Sequence, residues 1–194
     1  MNFLKKLLNI PIKEDKEIQK QEVDLSIDDF FVHNFIEKGG KFLYCLKEEE
    51  ISESLDKILT ENNWNELLLL DSSIGSLIKN KSIKTTSKFD NNTPVFTTCE
   101  HLIADHGDIL FSSNQLKSTK LSELSENFIV YAKTSQLVKN TGQGLTGIKT
   151  NSKKSLPTNI SSIKNYNINN NDDNFLNYGN SNSKNLYLLL LEDL

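Results

Sequence analysis

A chain of 194 residues can bury one ordinary core and is too short to suggest several domains. Its net charge of −4, carried against 22 basic residues that are all lysine, argues against nucleic acid as a partner and removes the guanidinium fork that grips carboxylates and phosphates at two points. Cys45 and Cys99 stand far apart, so no iron–sulfur or structural zinc site can be assembled from this chain alone.

Residues 1–24 read as a mobile N-terminal arm. The opening "MNFLKKLLNIPIK" is mildly amphipathic, with Phe3, Leu4, Leu7 and Leu8 available to dock on the body or on a partner, and the charged run "KEDKEIQKQEVD" follows. The opening lacks a signal-like apolar core, and the longest apolar runs fall far short of a membrane span, so a cytoplasmic protein without membrane contact is expected.

The folded part is expected over residues 25–194. "SIDDFFVHNFIEKGG" predicts a helix, with Ser26 as N-cap, Asp28 and Asp29 in the first turn, and Gly39-Gly40 as the stop. Ile27, Phe30, Phe31, Asn34 and Phe35 form its mostly apolar stripe, and His33 lies off it. "KFLYCL" predicts a strand with Cys45 buried, "EEEISESLDKILTENN" a helix, "ELLLLD" a strand covered on both faces, and "SSIGSLIKN" a short helix. Trp64 reads as a packing anchor. This alternation spells a parallel sheet flanked by helices.

Further on, "PVFTT", "HLIAD", "DILFSS" and "ENFIVYAK" read as strands, the middle two joined by a tight turn. "TSQLVKN" reads as the start of a helix. Residues 141–184 form a long polar excursion. Its "TGQGLTG" lacks the flanking strand and helix of a dinucleotide fingerprint. The closing "NLYLLLLEDL" predicts a buried strand returning to the sheet. The fold class expected is α/β: a Rossmann-like, mostly parallel sheet flanked by helices, with a β-rich edge.

Between "HLIA" and "ILFSS" stands the tetrad Asp105-His106-Gly107-Asp108. Three readings stay open: a hairpin turn with Gly107 at positive φ, the same turn also touching a ligand through Asp105 and His106, and a metal group of His101, Asp105, His106 and Asp108. Glu100, Thr97-Thr98 and Ser112-Ser113 at strand ends are weaker candidates, as are Lys133 and Lys139 as anion attractors.

The blocks "FIEKGGKFLYCL", "ILTENNWNELLLLD", "TTCEHLIADHGDILFSS", "NFIVYAKTSQLV" and "NLYLLLLED" together resemble the LUD-domain family, the lactate utilization protein B/C group, and within it the stand-alone C-type subunit. Ala104, Asp105, Gly107, Asp108 and Ile109 match the family's Ala-Asp-x-Gly-(Thr/Asp)-(Ile/Leu) core. The resemblance implies a fold like the sugar-phosphate isomerases and CoA transferases. It also implies a non-iron–sulfur part in oxidation of L-lactate to pyruvate, with iron–sulfur oxidoreductase subunits as partners and a small carboxylate or phosphorylated ligand. It implies contacts from Asp105, His106, Gly107 and Asp108. Asn159, Ser161, Ser162 and Gly179 stand as remnants of the family's glycine–proline loop, and Asp172 or Asp173 stands for its acidic residue. The Gly-Pro frame and the family's histidine are missing. The catalytic residues stay unidentified, and no cofactor or metal is expected from this chain itself. Two other classes remain: a non-catalytic scaffold with a decayed ligand loop, and an independent isomerase or acyl-CoA enzyme using Glu100.

Overall fold

The computed structural model describes residues 26–79, 81–151, 156–167 and 182–193. The arm at 1–24, Asp172, Asp173 and Gly179 lie outside these residues. The chain builds an α/β structure around two sheets.

The first helix, α1 (Ile27–Glu37), is capped by Ser26, whose hydroxyl donates to Asp29 Oδ2 and accepts from the Asp29 amide. Of its apolar stripe only Phe31 and Phe35 are buried; Ile27 and Phe30 stay 43% and 37% exposed. Strand β1 (Lys41–Cys45) follows through Gly39, at φ 89°. Helix α2 (Glu48–Glu61) opens with three glutamates against its dipole and buries Ile51, Leu55, Ile58 and Leu59. After β2 (Glu66–Leu69), "SSIGSLI" forms a 3-10 helix, Ser72–Ile78; serines and a glycine favour the tighter turn over a regular α-helix. Short β3 (Lys84–Thr86), without a sequence signal of its own, pairs beside β2.

Strands β4 (Val95–Thr98), β5 (His101–Ile103), β6 (Asp108–Ser112), β7 (Asn127–Lys133) and β10 (Asn185–Leu191) fall where expected. The six-stranded sheet has the order β1-β10-β7-β4-β2-β3, every pair parallel. The leucine-rich closing run takes a central place, Leu188 opposite both Phe42 and Val130. Its residues alternate between the two faces. Leu186, Leu188 and Leu190 enter one core with Phe31 and Phe35, while Tyr187, Leu189 and Leu191 enter the other with the apolar side of α2. Trp64 packs edge-on against Tyr187, ring centres 6.0 Å apart.

The second sheet runs β8-β5-β6-β9, with β8 (Leu137–Val138) and β9 (Ile160–Ile163) on either side of the β5–β6 hairpin. Its inner face, Leu102, Ala104, Ile109 and Phe111, closes the first core. "TSQLVKN" departs from expectation: Thr134–Gln136 is one 3-10 turn, β8 follows, and the next helix, α4, spans Thr141–Asn151. The glycines of "TGQGLTG" therefore sit inside a helix. A Cβ at Gly144 would lie 3.1 Å from Ile103 Cδ1, and one at Gly147 2.7 Å from His101 Nε2, so both keep α4 close to the outer face of β5. Their spacing of three places them on one side of the helix.

Replacing Gly147 by leucine should lower stability by about 1–3 kcal/mol, the cost of overpacking a filled contact, measured by urea unfolding.

Candidate functional site

The tetrad forms the β5–β6 turn, Ile103 opposite Asp108, with Gly107 at φ 65°. A Cβ on Gly107 would stand 2.5 Å from the Phe35 amide nitrogen and 2.6 Å from the Asn34 carbonyl carbon, so the turn is pressed against the backbone of α1. Asn34 Nδ2 donates to the Ala104 carbonyl (2.8 Å), and Lys38 Nζ pairs with Asp108 Oδ1 (2.9 Å), whose side chain is 9% exposed. Tyr166 donates its hydroxyl to the Gly107 carbonyl at 2.6 Å. Burial, and then the Asp108 charge, push the Tyr166 phenol well above its ordinary range, so it stays a donor. The amides of Ala104 and Asp105 are held by the carbonyls of Val138 and Lys139. Only Asp105 and His106 face outward, joined by a 2.6 Å hydrogen bond. Asp108 is committed to Lys38.

Ser161 and Ser162 lie half-buried on β9, opposite Phe111 and Leu110 of β6, away from the turn. Among the described residues no group of three or more His, Cys, Asp or Glu is placed to hold a metal ion. His101 instead contacts the Gln136 carbonyl through Nδ1 and lies against Gly147.

A second polar centre lies at the carboxyl ends of the parallel strands. After β2 the chain moves outward to β3; after β4 it moves the opposite way, to β7 and β10. In open α/β sheets a crevice forms at such a reversal, and ligands bind there. At the end of β2, Asp71 accepts the Thr98 hydroxyl of β4 at 2.6 Å and the Ser73 amide at 2.9 Å. Burial opposes ionisation of Asp71, but these hydrogen bonds and the charge of Lys117 outweigh it and hold the carboxyl below its ordinary value. Just past β4, Glu100 Oε1 accepts Ser112 Oγ and Asn114 Nδ2. Gln136 Nε2 donates to the carbonyls of Cys99 (2.6 Å) and Glu100 (3.2 Å), tying this bend to the end of β7.

Lys117 follows the short α3 (Ser113–Leu116) with φ 56° and ψ −127°, a backbone conformation that a side chain rarely takes. Such strain costs of order 1–2 kcal/mol and gathers at functional sites. Lys117 is exposed, and its Nζ donates to the Asn114 carbonyl. Cys99 lies beneath this rim, fully enclosed. Burial and the Glu100 charge raise its thiol far above the range in which it would act as a nucleophile.

The sequence marked Thr98 and Ser112 only as strand-end groups, offered Glu100 also as the acidic residue of an acyl-CoA enzyme, and passed over Asp71 and Lys117. The signal available was "ELLLLD", an acidic residue directly after a buried strand, but which strands adjoin it is a tertiary fact. Two clefts, about 590 and 310 Å³, open on the α2 side of the sheet around the Lys81–Asp56 ion pair. Neither is lined by the tetrad or by this rim.

Gly107→Ala should destabilise the chain by about 2–4 kcal/mol, combining left-handed strain with a collision against backbone, as read by thermal unfolding. Because the folded pKa of Asp71 is depressed, its contribution to stability is complete above the unfolded carboxyl value and is lost as pH falls through the lower folded one. The stability difference between the wild type and Asp71→Ala, followed by urea unfolding from pH 7 to pH 2.5, should therefore hold steady to about pH 4 and then shrink.

The LUD domain family matches residues 29–191. No curated protein matches the chain. A crystal structure of a DUF162 family protein from Deinococcus radiodurans superposes with a TM-score of 0.61 at 11% identity, covering 87% of this chain and 99% of that one. That likeness is one of fold. With the family match spanning most of the sequence and the same α/β architecture beneath it, the chain belongs to the LUD domain family.

Proposed function

We propose that this protein binds a small 2-hydroxy carboxylate at the carboxyl-end rim, as a non-iron–sulfur subunit in oxidation of L-lactate to pyruvate. One observation carries the reading. At the switch point between β2 and β4, the Asp71 carboxylate accepts the Thr98 hydroxyl, and two residues further on Glu100 accepts from Ser112 and Asn114 of the turn that ends in the strained, exposed cation Lys117. A 2-hydroxy acid carries a carboxylate and a neighbouring hydroxyl. Lys117 suits the first, and Asp71 or Glu100 can accept a hydrogen bond from the second.

Removing two electrons from such a ligand requires redox centres, and these are assigned to iron–sulfur partner chains. This chain's part is to bind and orient. Asp105 and His106 are offered as a secondary contact at the far end of the same hairpin, outside the rim.

Thermal-shift titration with L-lactate, pyruvate, a sugar phosphate and a CoA ester tests the proposal. A ligand at 100 times its Kd adds about 2.7 kcal/mol of stability. L-Lactate or pyruvate should give the largest shift, and Lys117→Met and Asp71→Asn should each abolish it while Asp105→Asn keeps most of it. Loss confined to Asp105→Asn moves the site to the hairpin turn. No shift with any ligand overturns the reading in favour of a scaffold subunit.

A further inference from the structure

The two clefts on the α2 side of the sheet are lobes of one groove, because Asp56, Lys81 and Ser82 line both. Along its α2 wall Glu49, Ser52, Asp56, Thr60 and Asn63 recur every three or four residues, so they share one side of the helix, with Asn63 just past its end. The facing wall carries Ser76, Leu77, Ser82 and Ile83, and Trp64 lines the lobe near the helix end. Volumes of about 590 and 310 Å³ suit a small molecule, but such sites are mostly apolar and this one is lined largely by polar groups. Its charges disfavour an ionic occupant. Lys81, the only cation among the lining residues, has a side chain just 10% exposed and spends its ammonium on Asp56 and the Ser52 carbonyl, at 2.5 and 2.9 Å. An anion would meet Glu48 and Glu49, and a cation lying along the groove would meet Lys81. Neutral hydrogen-bonding capacity is what remains. The side chains of Ser52, Ser76, Ser82, Asn63 and Asn65 and the Trp64 indole N–H make no hydrogen bond with other described residues. Asn34, Asn62, Asn114 and Asn185, outside the groove, all do.

We propose that this groove binds an uncharged, polyhydroxylated ligand, a short neutral oligosaccharide. Sugar hydroxyls donate to the carboxylates of Glu48 and Glu49 and to that of Asp56, whose side chain is 59% exposed, and they exchange hydrogen bonds with the uncommitted serines and asparagines. The C–H face of a sugar ring packs against Trp64, which its edge-on contact with Tyr187 holds in place. A neutral ligand meets no opposing charge from either Lys81 or the glutamates. The groove shares no lining residue with the carboxyl-end rim, so this site stands or falls separately from 2-hydroxy acid binding there.

Trp64 is the chain's only tryptophan, so its fluorescence reports on the groove directly. Titration of the full chain with maltotriose, cellotriose, mannotriose and tri-N-acetylchitotriose, beside spermidine as a cationic probe and citrate as an anionic one, tests the proposal. At least one trisaccharide should change the emission saturably, while spermidine and citrate leave it unchanged. Glu49→Ala and Asn63→Gly should each weaken that sugar about tenfold, the loss of one good hydrogen bond. Glycine takes the φ of 55° at position 63 without strain, so the second variant keeps the fold. Lys117→Met, at the rim, should leave the sugar affinity unchanged. The proposal is overturned by the absence of a saturable response to every trisaccharide, or by full affinity in both groove variants. Saturation by spermidine or citrate alone would overturn it in favour of an ionic ligand, and a sugar response abolished by Lys117→Met would overturn it by placing the sugar at the rim.

Discussion

The parallel pairing of β10 between β1 and β7 is the constraint on which the rest depends. Seven successive residues, Asn185 to Leu191, align with Asn127 to Lys133, and five of them also align with β1. A strand so placed must satisfy its amides and carbonyls on both sides and offer apolar side chains to both faces, and "NLYLLLL" does so without a glycine or a proline. Shifting this register by one residue would exchange the Leu186-Leu188-Leu190 set with Tyr187-Leu189-Leu191 and spoil both cores. The positions of the strand ends, and so of every polar group at the rim, follow from that register.

From this frame the two polar centres take different physical characters. The hairpin turn is held from three directions, by Asn34 and Lys38 from α1, by Tyr166 beyond β9, and by the carbonyls of Val138 and Lys139. Its glycine answers a packing demand. The rim is less enclosed. Asp71 and Glu100 are half-buried carboxylates whose partners are hydroxyls and amides, and Lys117 is exposed. A site of this kind can exchange its hydrogen bonds for those of a ligand, whereas Asp108, buried and paired with the half-buried Lys38, gives up that partner only at a cost.

Much of the architecture was legible in the sequence, because strands covered on both faces announce themselves as unbroken apolar runs and α1 and α2 carry acidic first turns. Ser26, Gly39 and Gly107 all act as their chemistry predicted. What escaped was set by long-range packing. Half the stripe of α1 stays exposed because only Phe31 and Phe35 face the sheet. The glycines of "TGQGLTG" looked like loop residues, and only contact with Ile103 and His101 explains Gly144 and Gly147 inside a helix. The pairing of Asp71 with Thr98 depends on β4 inserting beside β2, which no local pattern encodes. Lys184 gave no signal either. It lies buried, its ammonium donating to the Leu124 carbonyl at 3.0 Å and standing 5.3 Å from the Phe128 ring.

The central place of the last described strand also bears on how the chain reaches its native state. Lys41 must find Tyr187 across most of the described sequence, and topologies rich in such distant pairings fold slowly. Until that strand arrives, β1 and the near side of β7 are two bare edges facing an empty slot of one strand's width. Such edges recruit any extended peptide of suitable composition, a neighbouring molecule's leucine-rich run included. The same insertion that covers both of these edges in the finished sheet leaves them open in any chain where it has not yet happened.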